Sequence, residues 1–189
     1  VRQYSEKILR RDASGNVVRS GIALDIREWI EHMLAEHDEF FVTTNTKVIL
    51  GVTCVEVRDR GWVNGELIED TLDWFAQDED GNVWYFGENA KQHVGGLIVG
   101  VEGSWTAGVD GAKPGIVMKA HPAIGDFYRQ EFLLGTAEDM AEVLSLTESL
   151  PASYCSLGGN CLKTKETSPL EPDALENKYY APGVGNVRT

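Results

Sequence analysis

From about residue 40 onward, apolar and polar residues alternate with the two-residue period of half-buried strands, and turn-forming residues interrupt the pattern repeatedly. Residues 40–44 and 47–59 are rich in Val, Ile and Thr and predict strands, with Gly51 as a bulge or bend. Asn64-Gly65 is the strongest hairpin signal in the chain. A strand then runs to Gln77, and the turn Asp78-Glu79-Asp80-Gly81-Asn82 returns it through Val83-Trp84-Tyr85-Phe86. Gly95-Gly96 marks a further turn before residues 97–101, and 103–115 read as a long glycine-rich loop. Strands are expected at 116–118, 127–134, 140–146, 162–166 and 175–180, before the turn Pro182-Gly183-Val184-Gly185.

The first 40 residues differ. Residues 4–10 and 17–20 predict a hairpin closed by Asp12-Ala13-Ser14-Gly15-Asn16. Asp25 can then cap a helix, with Glu28 three residues on, and Ile26, Trp29, Ile30, Met33 and Leu34 fall on one helical face. That helix is expected to end near Glu36 to Asp38. The predicted class is mostly β: an antiparallel barrel or strongly curved half-barrel with one N-terminal amphipathic helix. A single domain would span 1–189, with hairpin and helix in 1–40 and the β-barrel body in 41–189.

Composition narrows the partners. The 189 residues carry 17 Lys plus Arg against 30 Asp plus Glu, a net charge of −13. Such a surface repels nucleic-acid phosphates and anionic membranes alike, and no apolar run is long enough for a transmembrane helix. Residues 1–27 are the exception, with six basic and three acidic side chains. They form either an arm for an acidic partner or a segment that packs on the chain's own acidic body. Of Cys54, Cys155 and Cys161, two can pair and one is left over, and spacing alone does not choose the pair.

Three stretches look familiar together: residues 69–78 with Gly81-Asn82-Val83-Trp84-Tyr85-Phe86-Gly87-Glu88, then Gly103-Ser104-Trp105 with Ala107-Gly108, then Lys178-Tyr179-Tyr180-Ala181-Pro182-Gly183-Val184-Gly185. Together they resemble a group of bacterial secreted proteins and lipoproteins without assigned activity. The closing Tyr-Ala-Pro-Gly-Val-Gly is similar to lipocalin-like and LolA-like curved sheets, which hold apolar or amphipathic ligands. The resemblance covers roughly residues 45–189. It implies an extracytoplasmic protein, secreted or periplasmic, and carries no catalytic residue.

Several residue groups offer chemistry. Asp78, Asp80 and Asn82 alternate as in a calcium loop, but the glycine and the closing carboxylate fall at the wrong positions, which leaves a solvated turn. Glu28, His32 and Glu36 would share one helical stripe, a metal site only if His93 or His121 joined them. In the strand ending at Gln77, Glu69, Thr71, Asp73, Phe75 and Gln77 occupy one face, opposite Asp70, Leu72, Trp74 and Ala76. In residues 127–132, Arg129 and Glu131 would share a side. If both polar faces turn inward, a lumen holds Asp73, Gln77, Arg129 and Glu131. Otherwise those faces meet water and the tryptophan faces form the core.

The leading expectation is a module that binds a small amphipathic molecule or a glycan in the lumen, with Trp84, Tyr85 and Trp105 as walls and Gln77 and Arg129 as polar anchors. The alternative is a hydrolase or acid–base enzyme using Asp73 and Glu131. A metal-binding protein is the third. No cofactor motif and no Ser/His/Asp spacing is present, and oligomeric state is not legible.

Overall fold

The computed structural model describes residues 6–10, 33–150, 155 and 159–189. Among them the chain forms strands and turns and no helix. The first sheet begins with β1 (Glu6–Arg10), β2 (Met33–Ile49), β3 (Val52–Val63), β4 (Glu66–Gln77) and β5 (Val83–Asn89), each antiparallel to the next. Two short strands, β6 (Gln92–Val94) and β7 (Leu97–Gly100), branch from β4, and β8 (Trp105–Thr106) pairs with β5. The path continues through β9 (Lys113–Met118) to β11 (Glu131–Phe132). The second sheet holds β10 (Phe127–Arg129), β12 (Met140–Glu148), β13 (Cys161–Ser168), β14 (Glu171–Ala181) and β15 (Gly185–Arg188).

Turn chemistry fixes the long hairpins. Asn64 and Gly65 both take left-handed φ, 53° and 80°, and this matches the twist of β3 and β4. Leu50 and Gly51 do the same at 51° and 81°, with Ile49 opposite Val52. Gly51 is therefore a hairpin turn rather than a bulge, and the strand expected over 47–59 is two strands. Cys155 and Cys161 form a disulfide and Cys54 is a buried thiol.

Two expectations need correction. The first hairpin's turn and second strand, and the helix as far as residue 32, lie outside the described residues, but from Met33 the chain is extended. Arg10 pairs with Met33, and Glu36 pairs with Val63, so both edges of β2 are occupied by ladders. A short apolar pair such as Met33-Leu34 fits either period, and here cross-strand pairing decides. The barrel does not close either. Residues 127–132 pass from one sheet to the other, as β10 pairs β12 while β11 pairs β9, but the far edges β1 and β15 do not pair. No described helix is long and apolar enough to cross a membrane.

Two bulges break the alternation that a sequence pattern assumes. Between Asp73 and Phe75 on β4 the partner strand advances from Glu88 to Tyr85, one residue too many. The extra residue is accommodated at Gly87, whose φ is 135° and whose missing side chain admits the Trp105 carbonyl. At the second bulge, the amides of Gln130 and Glu131 both donate to the Asp139 carbonyl, at 2.8 and 3.2 Å. Each bulge turns a glutamate to the face that alternation denies it.

Apolar packing surrounds these features. Ile49, Cys54, Trp74, Phe86, Trp105 and Ala107 form the main cluster, and the Lys47 ammonium caps Trp74 at 3.3 Å from the ring centroid. Tyr128, Ala141, Val143 and Leu162 fill a second cluster in which β10 packs with β12 and β13. Because Gly87 combines a left-handed φ with backbone contact, Gly87→Ala is expected to lower stability by roughly 1–3 kcal/mol, read from urea unfolding. Wild-type stability in that variant would contradict the bulge assignment.

Candidate functional site

The inner faces of both sheets line a cleft of about 1840 Å³. On one side stand Val57 and Asp59 of β3, Thr71, Asp73 and Phe75 of β4, and Tyr85 and Glu88 of β5. On the other stand Glu166 of β13 and Lys178 and Tyr180 of β14, with Gln130 and Glu131 where the sheets exchange the chain.

On the first sheet's wall one phenol contacts two carboxyls. Tyr85 Oη lies 2.6 Å from Asp73 Oδ1 and 2.8 Å from Glu88 Oε2. A phenol has one hydrogen, so it can donate to one carboxylate only. The second contact is a hydrogen bond if the other carboxyl keeps its own proton and donates to the phenol oxygen. Burial pushes Asp73 up to about 7, with the hydrogen bond from Tyr85 opposing and Glu69 adding to the rise. Burial and the neighbouring Asp73 push Glu88 up to about 8. One carboxyl of the pair therefore keeps a proton, which the phenol oxygen accepts. Tyr85 is in turn held by its rings: it stacks on Phe75 at 4.7 Å and meets Trp105 edge-on at 5.4 Å.

Further carboxyls crowd this pair. Burial, and then Asp73, Asp38 and Glu69, raise Asp59 to about 8. Burial, Glu88 and Asp139 drive Glu131 well above its ordinary range. Burial raises Asp139 too, against a hydrogen bond from Ser168.

The opposite wall behaves in the reverse way. Burial works against ionised Glu166, but Lys178 Nζ at 2.7 Å from Oε2 outweighs it, and Thr164, Gln130 and Tyr180 each donate to Oε1 at 3.1 Å. Glu166 thus stays below the usual carboxylate range. Burial works against the Lys178 charge, yet Glu166 keeps that ammonium protonated. This wall is a satisfied ion pair, and the facing wall is a set of carboxyls kept neutral.

The residues singled out by sequence separate into two groups. Asp73, Tyr85 and Glu131 meet at the cleft. Gln77 is exposed and donates to the Gly81 carbonyl at 3.0 Å. Trp84 donates through Nε1 to Asp78 at 2.8 Å, outside the cleft. The Asp78 turn, with donors from Trp84 and Asn82 that hold its carboxyl at about 2, is the solvated turn expected. Trp105 is 4% exposed and backs Tyr85 rather than facing the cleft, and its indole N–H is buried without an acceptor. Arg129 leaves the cleft because the bulge separates it from Glu131, and it pairs with Glu138 at 3.3 Å. Trp74 is buried on the other face of β4, so the polar face of that strand looks inward and its tryptophan is covered as well.

Sequence reasoning missed Glu88, Asp59, Lys178 and Glu166. Gly87 inside an otherwise regular strand was a signal for the first, since an isolated strand glycine marks a bulge. Among the described residues, no three His, Cys, Asp or Glu side chains converge as a metal ion needs. His32 and Glu28 of the helical stripe lie outside those residues, and Glu36 belongs to β2.

Carboxyls raised by folding bind protons that the unfolded chain has released, so stability falls as pH rises through their folded values. Thermal melts should show the highest melting temperature near about pH 5 and a decline toward about pH 8. Glu88→Gln should flatten the decline, and a melting temperature that rises over the same window would contradict the neutral carboxyls.

Neither protein-family models, nor the curated proteins, nor the solved structures yield a match to this chain.

Proposed function

We propose that the protein binds a small amphipathic molecule in the cleft between its two sheets. The observation that carries this reading is the union, on one inner surface, of the stacked Phe75 and Tyr85 rings with carboxyls that stay neutral. Apolar side chains such as Phe40, Val57 and Val83 continue the aromatic wall, and the volume exceeds the roughly 300–1,000 Å³ common for small-molecule sites. A glycan is less well served, because Trp84 and Trp105, the rings suited to sugar stacking, lie off the cleft. The Cys155–Cys161 disulfide supports an extracytoplasmic setting, secreted or periplasmic, where such bonds persist.

A second reading, a hydrolase or acid–base enzyme, is favoured by one observation. Asp73 has a proton affinity of about 7, near that of an effective general acid or base, and it lines the same cleft as Glu131. This reading requires a bell-shaped pH–rate profile that Asp73→Asn removes.

Binding is testable with the neutral fluorophore N-phenyl-1-naphthylamine, whose emission rises in apolar surroundings. The wild-type protein should enhance it saturably. Val57→Trp, which places a large ring in the cleft, should weaken binding roughly tenfold with an unchanged melting temperature. No enhancement by the wild type, or equal affinity in the variant, would overturn the reading.

A further inference from the structure

The reading of the cleft as a binding site leaves one group unexplained. Glu131 is enclosed by protein on almost every side, yet its carboxyl opens onto the cleft. Among the described residues no hydrogen bond or ion pair engages that side chain. Its neighbours are occupied: Asp73 and Glu88 share Tyr85, Asp139 takes Ser168, and Glu166 accepts from four groups. A largely enclosed carboxyl that no protein group engages is costly unless its open side meets water or a ligand.

Among the described residues the cleft holds no spare cation. Eleven carboxyl side chains, ionised or raised toward neutrality, line the cleft against Lys119, Lys178 and His121, and both lysines are committed. Lys178 is bound to Glu166 at 2.7 Å and Lys119 to Asp126 at 2.9 Å. The imbalance selects a positive ligand. The stacked rings of Phe75 and Tyr85 line the same cleft as these acids, together with Val57 and Phe40, so a positive group that carries carbon with it meets both surfaces. A bare divalent ion fits poorly, since no three ligating side chains converge among the described residues.

We propose that the occupant is an amphipathic organic ammonium ion, whose charged nitrogen pairs with Glu131 beside Glu88 while its carbon chain lies along Phe75 and Val57. The proposal rests on the cleft being a binding site and names the class of ligand. An ammonium group offers three N–H donors, enough for Glu131 and one neighbour at once. The carboxyl that accepts it gives up its own proton to solvent, so the complex gains one ion pair and releases about one proton. Around Glu131 stand Glu88, Asp139 and Asp73 as acids and Lys178 as the one cation acting on it. Loss of protons from the acids therefore favours the cation, and affinity should rise between about pH 6 and about pH 8, where an alkylamine stays charged.

The test is isothermal titration of the full chain with n-octylammonium, 1-octanol, octanoate and calcium chloride in parallel. The expected result is octylammonium binding at least roughly tenfold tighter than octanol, no measurable octanoate binding, and tighter octylammonium binding at the higher pH. In Glu131→Gln the preference for octylammonium over octanol should vanish, and octanol itself reports whether the cleft is still formed. Equal affinity for octylammonium, octanol and octanoate would overturn the cationic ligand and leave the binding site standing. Silence from all three octyl compounds would overturn both. Calcium that binds alone and displaces octylammonium would overturn the organic cation in favour of a metal.

Discussion

One phenol between two carboxyls sets the character of the inner surface. Tyr85 reaches Asp73 and Glu88 at once, and both contacts are hydrogen bonds only if a proton is retained that two ordinary carboxylates would have lost. The stack on Phe75 and the edge contact with Trp105 hold the ring with its phenol oxygen between the two carboxyls. The cleft therefore combines neutral acids on one wall with an intact Lys178–Glu166 ion pair on the other. Gln130 links the two walls, as its side chain donates to Glu166 from the segment in which the chain changes sheets.

That arrangement depends on two departures from regular strand geometry. In an unbroken β5, Tyr85 and Glu88 would point to opposite faces, three residues apart. The extra residue at Gly87 brings them together. In an unbroken 127–132 segment Glu131 would sit with Arg129, whose guanidinium would offer it a partner. The shared Asp139 acceptor separates them, and Arg129 pairs with Glu138 instead. Each bulge thus places an acid against other acids, at an energetic cost that a fold without use for the surface would have no reason to carry.

Much of the strand order was legible in the chain. Asn64-Gly65, the Asp78 to Asn82 turn and Gly95-Gly96 all reverse it where turn chemistry requires, because short turns impose their own local geometry. Leu50-Gly51 was harder, since leucine with positive φ has no local signature. Of the site, Asp73 followed from alternation, Tyr85 was expected as an aromatic wall, and Glu131 was expected beside Arg129, from which the bulge separates it. Lys178 and Glu166 were not legible because only the facing of the two sheets gives them a role, and Asp59 because its acidic neighbours come from the adjacent strands β2 and β4. The passage from Met33 into β2 was hidden for a related reason: a ladder on both sides of a strand outweighs an apolar spacing that also suits a helix.

Glu88 and Asp73 together retain a proton near neutral pH. Carboxyl-carbon NMR titration of side-chain-labelled protein tests this most directly, with Glu88→Gln and Asp73→Asn as assignment controls. Apparent midpoints near about 7 and about 8 are expected for the coupled pair, well above the acidic range of Asp78. Both carboxyls titrating near about 4, like exposed side chains, would contradict it.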